Sequence, residues 1–235
     1  MRGLFVTATD TGVGKTILCA ALLAAMAADG EDVRAYKPAV TGLEDQAEVA
    51  AGGRWPADHE LLAAVAGMEP DEVSPLRFGA AASPHLAAQL EGRRIEPAQL
   101  LDAAHHLAGP QTQERTLIVE GVGGLLVPLA EDYTICELAT ALALPVVIAA
   151  RPGLGTINHS LLTLGHARGA GLDVRAVVLT PWPREPSILE RSNRETIARL
   201  GRTEVLTLAS IDGPDQRALA RAGESLPWRR WLQGG

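Results

Sequence analysis

Short β-branched runs alternate with longer stretches of helical period along this chain. The runs Leu4–Thr7, Val33–Lys37, Thr116–Glu120, Pro145–Ala150, Val174–Leu179 and Glu204–Leu208 read as strands. The stretches Lys15–Ala28, His59–Ala66, Pro84–Leu90, Pro97–Ala108, Ile135–Ala143, Ile157–Arg168, Ser187–Leu200 and Pro214–Ala222 read as helices. Leu117-Ile118-Val119, Val146-Val147-Ile148 and Val177-Val178-Leu179 are apolar without a break, as a sheet covered on both faces requires. The alternation predicts an α/β fold, a doubly wound, mostly parallel sheet flanked by helices. No repeat or boundary interrupts it. Gly52-Gly53-Arg54-Trp55-Pro56 reads as a loop inside the domain, and residues 1–235 are expected to form one domain.

Ligands of such sheets bind where the strands end, and polar or glycine-rich segments follow several of these strands. The first is the most informative. Gly3-Leu4-Phe5-Val6-Thr7 leads into Ala8-Thr9-Asp10-Thr11-Gly12-Val13-Gly14-Lys15-Thr16, and Ile17 opens an apolar helical run. A strand, a glycine-bearing turn ending in Gly-Lys-Thr and a helix make a phosphate-binding loop. Backbone N–H groups at the helix start point at an anion, and the helix dipole favours negative charge there. Lys15 is placed to reach the β- and γ-phosphates and Thr16 to hold Mg²⁺. The strict pattern wants glycine at position 9, where this chain has Thr9, so the loop is a variant.

Composition narrows the function. The formal net charge is −7 with no long basic run, which leaves nucleic acid no electrostatic footprint. No apolar segment reaches the roughly 18 residues that span a bilayer. The first residues run into a strand pattern and not a secretory leader, so a cytoplasmic protein is expected. Cys19 and Cys136 read as buried free thiols.

Other strand ends carry candidate chemistry. Lys37, before Pro38, is either a second cation beside phosphates or a substrate anion, or a strand-end lysine with a partly exposed stem. Thr41-Gly42 permits close backbone approach to a ligand and equally suits an ordinary turn. Glu120 enters Gly121-Val122-Gly123-Gly124 and suits a Mg²⁺ ligand, since Mg²⁺ takes one or two carboxylates with phosphate oxygens. Asp58 stands before a helical run, as a structural N-cap or a participant in metal chemistry. In Gly153-Leu154-Gly155-Thr156-Ile157-Asn158-His159, either Thr156 simply caps the helix that follows or the glycines and Asn158 contact a carboxylate or a partner subunit. The six histidines show no paired metal-ligand spacing.

Together these segments resemble the dethiobiotin synthetase family. Thr7 to Thr16 match its Thr-Gly-Thr-Asp-Thr-x-Val-Gly-Lys-Thr loop except at Ala8, and that pattern accounts for Thr9. Lys37-Pro38 with Thr41-Gly42 is similar to its Lys-Pro-x-x-(Ser/Thr)-Gly. Ser83-Pro84-His85 with Glu91-Gly92-Arg93, Val119 to Gly124, and Gly155-Thr156-Ile157-Asn158-His159 resemble three further family segments in the same order.

The resemblance implies an ATP-dependent, Mg²⁺-dependent ligase of biotin biosynthesis. Its small-molecule substrates are 7,8-diaminononanoate, CO₂ and ATP or another nucleoside triphosphate. A carbamate is phosphorylated to a mixed anhydride, and the second amine closes a ureido ring. It implies catalytic roles for Lys15 and Lys37. Nucleotide contacts fall to Gly12, Val13, Gly14, Lys15, Thr16, Ile17, Asp58, Glu120, Gly121, Val122, Gly123, Thr180 and Pro181. The Mg²⁺ site is Thr16, Asp58 and Glu120. Substrate contacts fall to Thr11, Lys37, Thr41, Gly155 and Asn158, the last near a homodimer interface.

Two departures stand out. Ala8 replaces a loop glycine and is expected to be tolerated. Many members end the fifth strand in an asparagine that reads adenine, where this chain has Val178-Leu179-Thr180-Pro181-Trp182. A nucleotide preference broader than ATP is therefore expected, with base contacts sought around Thr207–Ser210. Two other classes compete. Amidoligases of the same loop superfamily need a further domain with a catalytic cysteine. Partitioning ATPases carry an extra lysine early in the loop, where this chain has Thr9-Asp10-Thr11.

Overall fold

A computed structural model describes residues 1–44, 55–110 and 115–233. Its elements are β1 Gly3–Ala8, α1 Lys15–Ala28, β2 Asp32–Tyr36, α2 Asp58–Ala66, α3 Pro70–Val73, α4 Pro84–Leu90, α5 Pro97–Ala108 and β3 Arg115–Glu120. Next come β4 Pro128–Ala130, β5 Tyr133–Thr134, α6 Ile135–Leu142, β6 Val146–Ala150 and α7 Thr156–Gly169. The described chain closes with β7 Val174–Trp182, α8 Ile188–Gly201, β8 Glu204–Ala209, α9 Gln216–Glu224 and α10 Trp228–Leu232.

Six strands form one sheet in the order β2-β3-β1-β6-β7-β8, and every neighbouring pair is parallel. The expected α/β fold is therefore present. β1 lies in the middle, and its six residues are all buried. Its side chains alternate between two cores, as strand geometry dictates. Leu4, Val6 and Ala8 pack beneath α1, α2, α9 and α10. Phe5 packs on the opposite face among residues of α5, α6 and α7. α1 is covered by the sheet and its helical neighbours, so it is apolar on nearly every side, with Leu18, Leu22 and Leu23 fully buried. Each such leucine contributes about 2 kcal/mol of transfer free energy. α9 sits tightly on α1 because Gly223 lacks a Cβ, which would come within 2.0 Å of the Ala21 carbonyl oxygen.

The strand order turns at β1, between β3 and β6, and this is the switch point where doubly wound sheets bind ligands. The loops after β1, β3 and β6 leave from the same edge. Ala8 is a regular β1 residue paired with Ala149, outside the left-handed region, so its methyl fits.

Several expectations need correction. β7 runs to Trp182, so Thr180 and Pro181 lie within the strand and not in a loop beyond it; Trp182 re-pairs with Ala209 after a register shift. The helix expected from Pro214 starts at Gln216, because the Asp215 carboxylate caps it by accepting from the Ala218 N–H at 2.7 Å. The short elements α3, α10 and the β4–β5 ribbon were too brief for a periodic signal. Of the loop expected at Gly52–Pro56, residues 52–54 lie outside the described residues. Cys19 and Cys136 are buried free thiols.

Candidate functional site

The loop after β1 has the form a phosphate cradle needs. Gly14 is the N-cap of α1 at φ 98°, a left-handed conformation that glycine adopts freely. It has no side chain to cap the helix, and the first turn of α1 carries no acidic residue, so the helix start faces outward as a donor site. Lys15 is 7% exposed and donates to the Asp10 carbonyl at 3.3 Å. Burial holds its pKa below the ordinary lysine value, against the upward pull of Glu120. Asp10 is fixed from two sides, accepting from the Thr11 N–H at 2.7 Å and from the Arg151 guanidinium at 3.1 Å.

Residues from three separate elements meet beside this loop. Glu120 ends β3 and is 1% exposed. Its Oε1 accepts from the Thr16 hydroxyl at 2.9 Å and from the Lys37 ammonium at 2.5 Å. Lys37 also donates to Asp58 Oδ2 at 2.5 Å. Its own N–H donates to the Val73 carbonyl at 2.8 Å, which fixes the chain as it leaves β2. Lys37 is 4% exposed, so the expected partly exposed stem is replaced by a buried ion-paired one. Burial opposes its charge, yet the carboxylates of Glu120 and Asp58 carry its pKa above the ordinary value. Burial pushes Glu120 up in turn, with Lys37 pulling the other way. Asp58 is held below the ordinary carboxylate value: burial raises it, but Lys37 and a hydrogen bond with Thr16 outweigh that.

Asp58 is not the N-cap. Ala57 holds that position, and its N–H is met at 3.1 Å by Glu60. Asp58 is thus the first helical residue, and its carboxylate turns to Lys37 instead of capping its own helix.

The donor set fits Mg²⁺. Thr16, Asp58 and Glu120 offer one hydroxyl and two carboxylates, hard oxygen ligands of the kind Mg²⁺ takes alongside phosphate oxygens and water. Glu120 Oε2 is buried with no hydrogen-bond partner among the described residues, an acceptor left over for a cation. No larger gathering of His, Cys, Asp and Glu suited to a metal exists among the described residues.

The remaining expected site residues lie on the loop after β1, on the segments that follow β2, β3 and β6, and at the end of β7. Gly12, Val13 and Ile17 belong to the loop and first turn of α1. Thr180 packs on Gly14, where an added Cβ would lie 3.1 Å from its methyl, and Pro181 follows in β7. Gly121, Val122 and Gly123 leave β3, with Gly123 near the Thr11 hydroxyl. Thr41 is half-buried between Val40 and Gly42, which pair with residues 76–80. Gly155 is the N-cap of α7 at φ 89°, Thr156 is buried behind it, and Asn158 is exposed in the first turn. The Asp10–Arg151 pair was not anticipated. An arginine closing the strand next to the loop is the only sequence signal for it.

A parallel sheet whose central strand runs through this loop into α1 defines a P-loop nucleotide-dependent protein. The family model described as an AAA domain matches residues 2–214. The chain is 44% identical over 210 residues to the ATP-dependent dethiobiotin synthetase BioD of Anaeromyxobacter sp. (strain Fw109-5), covering 85% of this chain and 90% of that one. It is 43% identical over 224 residues to the same-named protein of Anaeromyxobacter dehalogenans (strain 2CP-C), covering 94% and 95%. The chain belongs to the dethiobiotin synthetase family. Among solved structures, apo McdA from Cyanothece shares the fold, with a TM-score of 0.53 and 12% identity over 99% of this chain and 96% of that one.

Proposed function

We propose that this chain makes dethiobiotin from 7,8-diaminononanoate, CO₂ and a nucleoside triphosphate, acting as a single P-loop domain in each subunit of a cytoplasmic homodimer. The observation that carries the reading is the convergence of Lys15, Thr16, Lys37, Asp58 and Glu120 at the switch point, in a chain of this family. The chemistry needs positioning and charge neutralisation more than covalent help from the protein.

One amine of the substrate adds to CO₂ and loses a proton, giving a carbamate. A carbamate oxygen attacks the γ-phosphorus, the bond to the β-phosphate oxygen breaks, and the nucleoside diphosphate leaves. The second amine attacks the carbonyl carbon of the mixed anhydride and expels phosphate, closing the ring as a proton passes to solvent. In this reading the backbone N–H groups of Gly12 to Ile17 hold the phosphates. Lys15 follows the charge moving off the γ-phosphoryl group. Lys37 neutralises the carbamate, with Thr41 and Thr11 fixing its position. Thr16, Asp58 and Glu120 would hold Mg²⁺, which supplies charge neutralisation on the phosphates. Gly121, Val122 and Gly123 let the backbone approach the nucleotide closely beside the loop.

Gly155 and Asn158 would receive the substrate's carboxylate tail from the other subunit. Exposed Leu162 lies four residues after Asn158 on α7, and Leu154, 87% exposed, stands just before the helix, which supports an apolar contact face there. Among the described residues no helix is long and apolar enough to cross a membrane. β7 ends in Val178-Leu179-Thr180-Pro181-Trp182 without an asparagine, which supports base recognition by backbone groups near Pro181 and a preference broader than ATP.

The test is phosphate release by the purified protein with nucleotide and Mg²⁺, with and without diaminononanoate and bicarbonate. Release that requires both supports the reading. Release from nucleotide alone, at the same rate, removes it in favour of a switch ATPase.

A further inference from the structure

Glu91-Gly92-Arg93 lies well along the chain from the charged cluster, and the proposed chemistry gives it no task. Its side chains are nevertheless tied to the strip that carries Lys37 and Thr41. Glu91 follows α4, and its Oε1 accepts from the Gly79 N–H at 2.8 Å. Arg93 donates to the Arg77 carbonyl at 2.9 Å, stands 4.6 Å above the centre of the Phe78 ring, and lies 3.3 Å from Glu91 Oε2. Phe78 is 1% exposed, so the ring under the guanidinium is a fixed floor. Both charged side chains therefore grip one edge of the segment 77–79.

The other edge of that segment is a template for the chain after β2. The Val40 N–H donates to the Leu76 carbonyl and the Phe78 N–H to the Val40 carbonyl, both at 2.9 Å. Gly42 donates to Ala80 at 2.9 Å, Leu43 to Phe78 at 3.3 Å and Glu44 to Gly79 at 3.2 Å. With the Lys37 N–H on the Val73 carbonyl, residues 37–44 are laid along 73–80 from end to end. Gly42 sits at φ 79° within this run, so the turn that presents Thr41 depends on these bonds to hold its shape.

We propose that Glu91 and Arg93 are positioning residues that brace the 77–79 segment from behind, fixing Thr41 and so setting the affinity for the diamine substrate and not for the nucleotide. The assignment of Thr41 to the diamine rests on the function proposed above. Glu91 and Arg93 bond to residues 77–79 and not to the loop after β1 or the end of β3, where most of the proposed nucleotide contacts lie. Replacing either side chain by alanine removes a bond to 77–79 while leaving the ladder's own bonds to compete with water. The conservative changes Glu91→Gln and Arg93→Lys keep an acceptor and a donor in reach.

Two measurements on the full chain test this. The first is hydrogen exchange of peptides covering residues 39–44, which reads the brace whatever the substrate is. Glu91→Ala and Arg93→Ala should speed exchange there by about tenfold, the scale of one lost hydrogen bond to a charged group, with Glu91→Gln and Arg93→Lys near wild type. Unchanged exchange in both alanine variants overturns the proposal. The second is steady-state kinetics. The alanine variants should raise KM for diaminononanoate about tenfold and leave nucleotide KM within about twofold. Equal rises for both substrates, together with a lowered melting temperature, would mean general destabilisation and also overturn it. A wild-type protein that needs no diamine would sink the proposed function while the exchange result still judged the brace.

Discussion

The ammonium of Lys37 lies 2.5 Å from Glu120 Oε1, and Glu120 is 1% exposed. Asp58 meets the same ammonium at 2.5 Å from the other side. The lysine proposed to neutralise the carbamate is thus held by the two carboxylates proposed for the metal. Such a group is kept charged and aimed in advance, the condition for electrostatic catalysis without reorganisation.

Lys37→Ala should lower kcat by more than about a hundredfold, since it removes a charge aimed at the reacting group. It should also destabilise the fold, contrary to what a partly exposed strand-end lysine predicts. Loss of the ammonium leaves the Glu120 carboxylate buried beside Asp58, a change that costs about 3 kcal/mol in comparable pairs. Adding Glu120→Gln should recover part of that loss in thermal unfolding. An additive double mutant would show that the two groups do not interact.

Glu120→Gln alone tests the metal site. The amide keeps an acceptor for Thr16 but loses the charge, so half-maximal turnover should need about tenfold more Mg²⁺. A Mg²⁺ titration that overlays the wild-type curve would assign Glu120 a purely structural role.

The pH profile follows from Lys15. Burial lowers its pKa, so in the free enzyme the ammonium is lost as pH rises, at a lower pH than for an ordinary lysine. The value of kcat/KM for nucleotide should therefore fall on the alkaline side. Bound phosphates stabilise the ammonium, so kcat should hold to higher pH. Coincident alkaline limbs for the two parameters would contradict this role for Lys15.

Base preference is the next measurable consequence. With no asparagine in Val178-Leu179-Thr180-Pro181-Trp182 at the end of β7, turnover with CTP and GTP should stay within about a hundredfold of ATP, because backbone groups discriminate bases weakly compared with a paired side-chain amide. A larger preference for ATP would point to a base-reading side chain elsewhere.

The proposed dimer face can be tested by a single change. Leu162, 65% exposed on α7, should tolerate aspartate in the monomer, so Leu162→Asp should shift the protein from dimer to monomer in sedimentation velocity while keeping its melting behaviour. A dimer that survives this change lies on another surface.

The parallel sheet and the loop were legible in the chain for a simple reason. Buried strands such as Leu117-Ile118-Val119 must be apolar throughout, and Gly14 before Lys15 is demanded by a left-handed backbone. The pairing within the site was not legible. The distance in sequence from Lys37 to Glu120 carries no signal of contact; only the adjacency of β2 and β3 in the sheet brings their ends together. An N-cap stayed open for Asp58 beside metal chemistry because aspartate before a helical run often is one, and the capping by Glu60 at Ala57 leaves no mark that distinguishes the two. Thr180 and Pro181 looked like a loop because proline usually ends a strand, yet Pro181 is exposed near the strand's end, where a missing N–H is tolerated.

The most direct test supplies labelled bicarbonate, diaminononanoate, nucleotide and Mg²⁺ to the purified protein and follows both phosphate and label. One phosphate should be released for each label retained in a cyclic urea product, with neither formed when the diamine is left out. Phosphate release that continues without diamine, or that proceeds with no label in a ring product, would contradict it.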